Sequence, residues 1–210
     1  LFRSRGSGFG MLGLMLLVVA TSVPQSGIDF YKGTAVATGV DPVCGKFSQS
    51  RDVPGLTRPL ASSGRFFVSG EHGLAWIQDV PFDSILIIDD QRLTQRVMDH
   101  TPVTITEQQQ PEVLYLGRVL LEIFRGRIEK LEESFAIDYE DSGTTWRADL
   151  LPKDEMLRHV FERITITGAS NVEQVNVHGA QGDVSRIELA DVSPCDPQEG
   201  DPGVDIFNIR

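Results

Sequence analysis

Apolar and polar residues alternate in short runs through most of the chain after Gly45, and glycine, proline or acidic turns separate the runs. Alternation with a period of two is typical of strands that bury one face. We expect about ten such strands, with neighbours antiparallel. So large a sheet does not stay flat, and the pattern predicts a mainly β fold curled into a barrel or part-barrel.

The individual strands can be placed from this pattern. GKFSQSR forms the first, and RFFVSGEHGLAWIQ reads as a hairpin that turns between Gly70 and Gly73. Residues 52–64 contain two prolines and two glycines, and are predicted to be a connection. The remaining predicted strands are Ser84–Ile88, Arg92–Met98, Phe135–Tyr139, Thr144–Leu150, Arg163–Thr167, Glu173–Val177 and Val184–Leu189.

One long segment has helical instead of strand spacing. It runs from Pro111 to Arg125, with proline in its first turn and Gly126 at its exit. Its apolar residues are Val113, Leu114, Leu116, Leu120, Leu121 and Phe124. We expect this helix to cover the open or concave side of the sheet, with Leu114, Leu121 and Phe124 on the covering face. A second, shorter helix is predicted from Asp154 to Phe161.

The strands after the first connection offer a broad apolar wall. Phe66 with Val68, Leu74 with Trp76, and Leu86 with Ile88 each share one face of a strand. Aligned faces would form a concave apolar surface that contains an aromatic ring. A filled core and a ligand cavity look alike at this level, so both interpretations stay open.

The N-terminus has the pattern of a secretion signal. Arg3 and Arg5 precede an uncharged apolar run from Phe9 to Ala20, which is shorter than the roughly 20 residues that span a membrane. We expect cleavage near Ser22, so that residues 1–22 are the signal peptide and residues 23–210 form a single mature domain. An uncleaved anchor is the alternative.

The charge of the mature chain excludes one class of partner. Without Arg3 and Arg5, the 19 basic residues fall to 17 against 30 acidic ones, which leaves a net charge of −13. Nucleic-acid phosphates and anionic lipid headgroups repel such a surface. We therefore expect no nucleic-acid binding.

The two cysteines are Cys44 and Cys195. An even count in an exported chain favours a disulfide, and two unrelated thiols are the alternative. Closing so long a loop would stabilise the chain by about 4–5 kcal/mol in the chain-entropy model.

No catalytic or metal-binding motif is present in the sequence. It lacks a nucleophile elbow, a zinc-protease helix, a phosphate-binding loop and a dinucleotide fingerprint. The four histidines, His72, His100, His159 and His178, fall in different predicted elements. We therefore expect no enzyme, no metal site and no cofactor, although catalytic sites also assemble from distant residues.

The run GRFFVSGEHGLAWIQDVPFDSILIIDDQRL, preceded by GKFSQSR, resembles the periplasmic lipoprotein carrier family, LolA, and its relatives that accompany lipid exporters. A late G-D-x-x-x-I-x-L run at Gly182–Leu189 extends the likeness. The matching positions are Phe47, Gln49, Gly64, Trp76, Pro81, Ser84 to Leu86, Asp89 and Leu93.

The resemblance implies an incomplete antiparallel barrel, a half-barrel, with a helical lid over an apolar cavity. It also implies a monomeric carrier that ferries acylated lipoproteins or other lipids through the periplasm, from an inner-membrane exporter to an outer-membrane acceptor. The lipid-binding residues would be Phe66, Val68, Leu74, Trp76, Leu86 and Ile88.

One position departs from the family pattern. Its members carry an arginine that holds the lid where this chain has Gly70, followed by Glu71, so a different contact must hold the lid here. Three other interpretations stay open: a non-transporting module that senses lipids or lipoproteins, an enzyme acting on acyl substrates, and a structural β domain with a filled core.

Overall fold

The computed structural model describes residues 42–125, 127–153 and 155–195, without the side chains of Glu112, Ile128 and Glu129. The expected signal peptide lies outside the described residues, and the assignment of residues 23–210 to a single domain stays a prediction.

Eleven strands and three helices make up the described residues. The strands are β1 (Val43–Asp52), β2 (Leu60–Ser69), β3 (Gly73–Val80), β4 (Ser84–Ile88), β5 (Arg92–Val97), β6 (Val103–Thr106), β7 (Phe135–Asp141), β8 (Trp146–Pro152), β9 (Phe161–Gly168), β10 (Val172–Gly179) and β11 (Val184–Pro194). The helices are α1 (Pro111–Arg125), α2 (Ile128–Leu131) and α3 (Glu155–Arg158).

All eleven strands form one antiparallel sheet in the order β6-β5-β4-β3-β2-β1-β11-β10-β9-β8-β7. The chain meanders outward from β1 to β6, continues through α1 and α2, restarts at the opposite edge with β7 and returns to β11. Strands β1 to β6 form the N-terminal half, and β7 to β11 the C-terminal half. The two halves meet where β1 pairs with β11, and the sheet does not close. The predicted half-barrel with a helical lid is confirmed.

Helix α1 packs against the concave side of the sheet, where most of the core lies. Its bounds are those that the spacing of apolar residues predicts. Gly117 lets it approach the N-terminal half closely, because a Cβ at this position would lie 3.0 Å from Ile88 Cγ2 and 3.5 Å from Leu93 Cδ1.

The other predicted elements need three corrections. The helix expected from Asp154 to Phe161 spans only Glu155–Arg158, because buried Phe161 already begins β9. Strand β2 begins at Leu60, inside the predicted connection, since backbone pairing with β1 extends it through exposed residues. Strand β6 and helix α2 were not predicted; both have only four residues, too few for a clear period.

Cys44 and Cys195 form a disulfide with a Cα–Cα distance of 5.8 Å. This confirms the predicted bridge across a sequence separation of 151 residues. It ties the start of β1 to the residue that follows β11, so it reinforces the junction of the two halves. On the outer face of the sheet it packs beside a small apolar cluster of Phe67, Ala75, Ile77 and Ile87.

Candidate functional site

The strand register aligns the predicted apolar wall. Trp76 on β3 lies opposite Phe66 on β2 and Leu86 on β4. In the same way, Leu74 lies opposite Val68 and Ile88. Directly opposed residues point to the same face of a sheet, so all six side chains share the concave face.

This wall is packed beneath α1. Its six side chains are 0–6% exposed, and Leu114, Leu121 and Phe124 of the helix are at most 1% exposed. The ring of Phe124 lies 5.3 Å from that of Phe66 and 5.4 Å from that of Trp76, and Trp76 stacks on Phe47 at 3.8 Å. The structure thus packs the predicted lid against the predicted wall. Their role in lipid binding stays a prediction.

A cavity of about 180 Å³ lies on the other side of α1, between the helix, β1 and the C-terminal half. A second stripe of the helix, at positions 116, 119, 120 and 123, forms its roof. The apolar lining comprises Leu116, Val119, Leu120, Ile123, Val160, Phe161, Ile164, Val175, Val177 and Ile187.

None of the six wall residues lines this cavity. Two sequence patterns correspond to the cavity lining. One is the alternation of Val175 and Val177 in β10, and the other is the second apolar stripe of the helix. These patterns do not identify a cavity, because residues that border empty space and residues that fill a core have the same apolar pattern.

One end of the cavity is polar. It lies at the β10–β11 turn, and its residues are Gln49, Arg51, His159, Gln181, Asp183 and Ser185. Arg51 donates to Asp183 Oδ2 from Nε at 3.2 Å and from Nη2 at 2.8 Å. The lining therefore changes from apolar in the interior to an ion pair at the turn.

Gly179 makes room for this ion pair. A Cβ at Gly179 would lie 2.0 Å from Asp183 Oδ1, so any larger residue would displace the carboxylate. The backbone N–H of Gly179 also donates to the carbonyl of Asp183 at 2.8 Å, which closes the turn.

Two arginines of α1 attach the helix to turns of the N-terminal half. Arg125 donates to the carbonyl of Gly70 at 3.1 Å and to Asp90 Oδ1 at 3.0 Å, and its side chain is 7% exposed. Arg118 donates to the carbonyl of Asp90 at 2.9 Å and pairs with Glu107. Gly70, where the family carries a lid-holding arginine, thus accepts a hydrogen bond from an arginine on the helix. Sequence spacing could not predict this contact, because it joins residues 55 positions apart.

The end of α1 also holds a partly buried charge cluster. Glu122 Oε1 accepts from Arg125 at 3.5 Å and from Arg127. Three buried atoms of this cluster, Glu122 Oε2, Arg125 Nε and Arg127 Nε, have no hydrogen-bond partner among the described residues. Such unmade bonds each cost about 1–3 kcal/mol, so the cluster holds α1 less tightly than a fully satisfied one would.

The indole N–H of Trp76 is buried in the wall without a described hydrogen-bond partner. A buried donor of this kind is a destabilising feature of the closed packing, worth about 1–3 kcal/mol.

The described residues offer little for catalysis or metal binding. They contain no group of three or more His, Cys, Asp or Glu placed to hold a metal ion. His159 lies at the cavity and its Nδ1 contacts the carbonyl of Glu155 at 2.6 Å, whereas His100 contacts the carbonyl of Val97. Over the same residues, every helix is too short or too polar to cross a membrane.

Comparisons with solved structures find distant likenesses. A LolA superfamily protein from Nitrosomonas europaea shares 9% identity at a TM-score of 0.44, over 80% of this chain and 92% of that chain. A DUF1329 family protein from Desulfovibrio piger shares 7% identity at a TM-score of 0.45, over 79% of this chain and 90% of that chain. No curated protein matches the chain.

A comparison with family models identifies the chain directly. The model described as "Outer membrane lipoprotein carrier protein LolA" matches residues 38–199, well over half of the sequence. The match contains the whole described sheet, α1 and the cavity. The resemblance inferred from the strand motifs is confirmed: this chain belongs to the LolA family of outer membrane lipoprotein carrier proteins.

Proposed function

We propose that this protein is a periplasmic carrier, which binds the acyl chains of lipoproteins or other lipids beneath α1 and ferries them from the inner to the outer membrane. The observation that carries the proposal is the apolar cavity between α1 and the C-terminal half. Membership of the LolA family supports the same role.

The physics of the cargo explains why a carrier is needed. Exposing one 16-carbon acyl chain to water costs about 12 kcal/mol, at about 0.8 kcal/mol per methylene. Free diffusion of such a chain between two membranes is therefore very slow. A protein that buries the chain removes this barrier, provided that it also releases the chain to an acceptor.

The cavity in this closed arrangement is smaller than such a cargo. Its volume of about 180 Å³ is close to that of an engineered cavity of about 150 Å³ that takes up benzene, a ligand with only six carbons. A 16-carbon chain therefore needs α1 to move away from the sheet. In the proposed open state the acyl chain extends from the cavity across the packed wall of Phe66, Val68, Leu74, Trp76, Leu86 and Ile88.

Two features support an opening of α1. Its attachment to the turns depends on Arg118 and Arg125, and polar contacts re-form with water at modest cost when they separate. Trp76 holds an unsatisfied N–H beneath the helix, which lowers the stability of the closed packing.

The localisation and the partners follow from the same proposal. Residues 1–22 act as a cleaved signal peptide that delivers the chain to the periplasm. An inner-membrane exporter loads the monomer, and an outer-membrane acceptor unloads it. The Cys44–Cys195 disulfide suits an oxidising compartment.

A transfer assay tests this function. The mature protein is incubated with inner-membrane vesicles that contain an acylated lipoprotein, and the lipoprotein that it releases is counted after the vesicles are removed. Leu120→Glu places a charge in the roof of the cavity, and we expect release to fall at least tenfold. Leu151→Glu makes the same change at an exposed position of β8 and should release as much as the unmodified protein.

Two results would contradict the carrier proposal. One is a clean mass of the unliganded protein by native mass spectrometry after incubation with the vesicles. The other is a stable complex with a single partner without lipoprotein release, which would favour the non-transporting sensor.

A further inference from the structure

The headgroup of a lipid bound in the cavity would lie at the polar end. We propose that this end selects acyl esters and amides without net charge, and rejects anionic lipids. The inference rests on the proposed function, since it concerns the ligand of the same cavity.

The position of the polar end sets the orientation of a ligand. The apolar lining from α1 and β9 to β11 takes the acyl chain, and the group that joins the chain to its headgroup then lies at the β10–β11 turn. Gln49, Gln181 and Ser185 in this region carry amide or hydroxyl groups. Groups of this kind donate to ester and amide carbonyls and accept from glycerol hydroxyls.

The charges at this end are already matched. Arg51 and Asp183 form the ion pair in the lining, and their side chains are 28% and 23% exposed. An anionic headgroup can bind Arg51 only by displacing Asp183 or by lying beside its carboxylate. Either arrangement leaves one partly buried negative charge without its partner, which is unfavourable where access to water is reduced. An uncharged ester or amide leaves the ion pair intact.

The ion pair has a close neighbour that carries no charge. A Cβ at position 179 would lie 2.0 Å from Asp183 Oδ1, so a larger residue there makes the carboxylate shift. A substitution there can separate Arg51 from Asp183 without changing the net charge of the protein. The contribution of the ion pair can therefore be measured apart from that of long-range electrostatics.

Binding of three lipids with the same 12-carbon chain tests the proposal. The probes are a monoacylglycerol without charge, a zwitterionic lysophosphatidylcholine and an anionic lysophosphatidylglycerol, each measured by displacement of a fluorescent fatty acid. For the unmodified protein we expect the monoacylglycerol to bind at least tenfold more tightly than the anionic lipid, with the zwitterion between them.

Three variants show whether the ion pair causes this preference. Asp183→Asn removes the carboxylate charge beside Arg51, and we expect the anionic lipid to gain at least tenfold relative to the monoacylglycerol. Gly179→Ala should cause part of the same change. Asp52→Asn removes one negative charge from an exposed pair with Arg186 outside the cavity, so it should leave the ratio unchanged. Circular dichroism checks that each variant is folded.

The outcomes separate this proposal from the carrier function. Equal affinity for the three lipids, or an unchanged ratio in both Asp183→Asn and Gly179→Ala, would overturn headgroup selection and leave acyl-chain binding intact. Failure of all three lipids to bind would contradict the carrier function itself. Free glycerides and the lipidated N-terminus of a lipoprotein present the same chemistry, and a diacylglyceryl-cysteinyl peptide measured against diacylglycerol distinguishes these two sources.

Discussion

The two halves of the sheet differ in how α1 covers them. Over the N-terminal half, Leu114, Leu121 and Phe124 are buried against the wall, and Gly117 lets the backbone come close. Over the C-terminal half, a second stripe of the same helix faces a cavity of about 180 Å³. One helix therefore serves as a core element on one side and as the roof of a candidate binding site on the other.

The dimensions of the elements explain this asymmetry. Eleven strands spaced by about 4.8 Å span roughly 50 Å, whereas a helix with its side chains is about 10 Å wide. A single helix cannot fill the whole concave side. The core cluster extends over both halves, and the remaining space lies between α1 and the C-terminal half.

The largest expected effect compares two truncations on the same helix. Phe124→Ala should lower the free energy of unfolding by about 3–5 kcal/mol, because it leaves a void among fully buried rings. Leu120→Ala should lower it by less than about 1 kcal/mol, since its side chain borders space that already exists. Urea denaturation measures both values. Equal losses would mean that the two sides of α1 are packed alike.

The second prediction concerns the attachment of α1 to the N-terminal half. Arg125→Gln removes the bonds to Gly70 and Asp90 and weakens the charge cluster around Glu122, so unfolding should become easier by about 2 kcal/mol. The same change should raise the fluorescence of a hydrophobic dye such as N-phenyl-1-naphthylamine, because α1 opens more often.

Arg186→Gln is the matched control for this prediction. It removes an exposed arginine that pairs with Asp52, far from α1, and should alter stability by less than about 0.5 kcal/mol. Equal dye binding by the two variants would show that Arg125 does not hold the helix closed.

The smallest effect concerns the outer face of the C-terminal half, where Asp149 lies between β7 and β9. Burial acts to raise the pKa of its carboxyl, but hydrogen bonds from Arg147 and Thr165 and the charges of Arg147 and Arg163 outweigh it, so the pKa is lowered below 3.8. A lowered folded-state pKa stabilises the protein above the unfolded-state pKa, and this stabilisation is lost as the pH falls through the folded-state value.

Asp149→Asn should therefore be less stable than the unmodified protein at pH 7, and the difference should shrink as the pH falls below about 4. Unfolding curves at several pH values measure this change. Lipid binding should not change, because Asp149 lies outside the cavity lining. A loss of binding in this variant would mean that the outer face of the C-terminal half also shapes the site.

The sequence predicts best those elements whose residue pattern repeats over several positions. The bounds of α1 and β4 follow from apolar spacing together with the turn residues at their ends, and the six wall residues share a face as their alternation predicts. It does not predict the cavity. Leu116 and Leu120 have the same apolar spacing as residues that fill a core, and only their distance from β10 separates the two cases.

The sequence by itself determined the mainly β architecture, the position of the lid helix, the disulfide partners and membership of the LolA family. These properties depend on local periodicity, on an even cysteine count and on the order of short motifs. Only the tertiary structure decided which side of α1 is filled, that Arg125 binds Gly70, and that Arg51 meets Asp183 at the cavity. Each of these depends on the path of the backbone between residues far apart in the chain, and that path is set by the packing of the whole sheet.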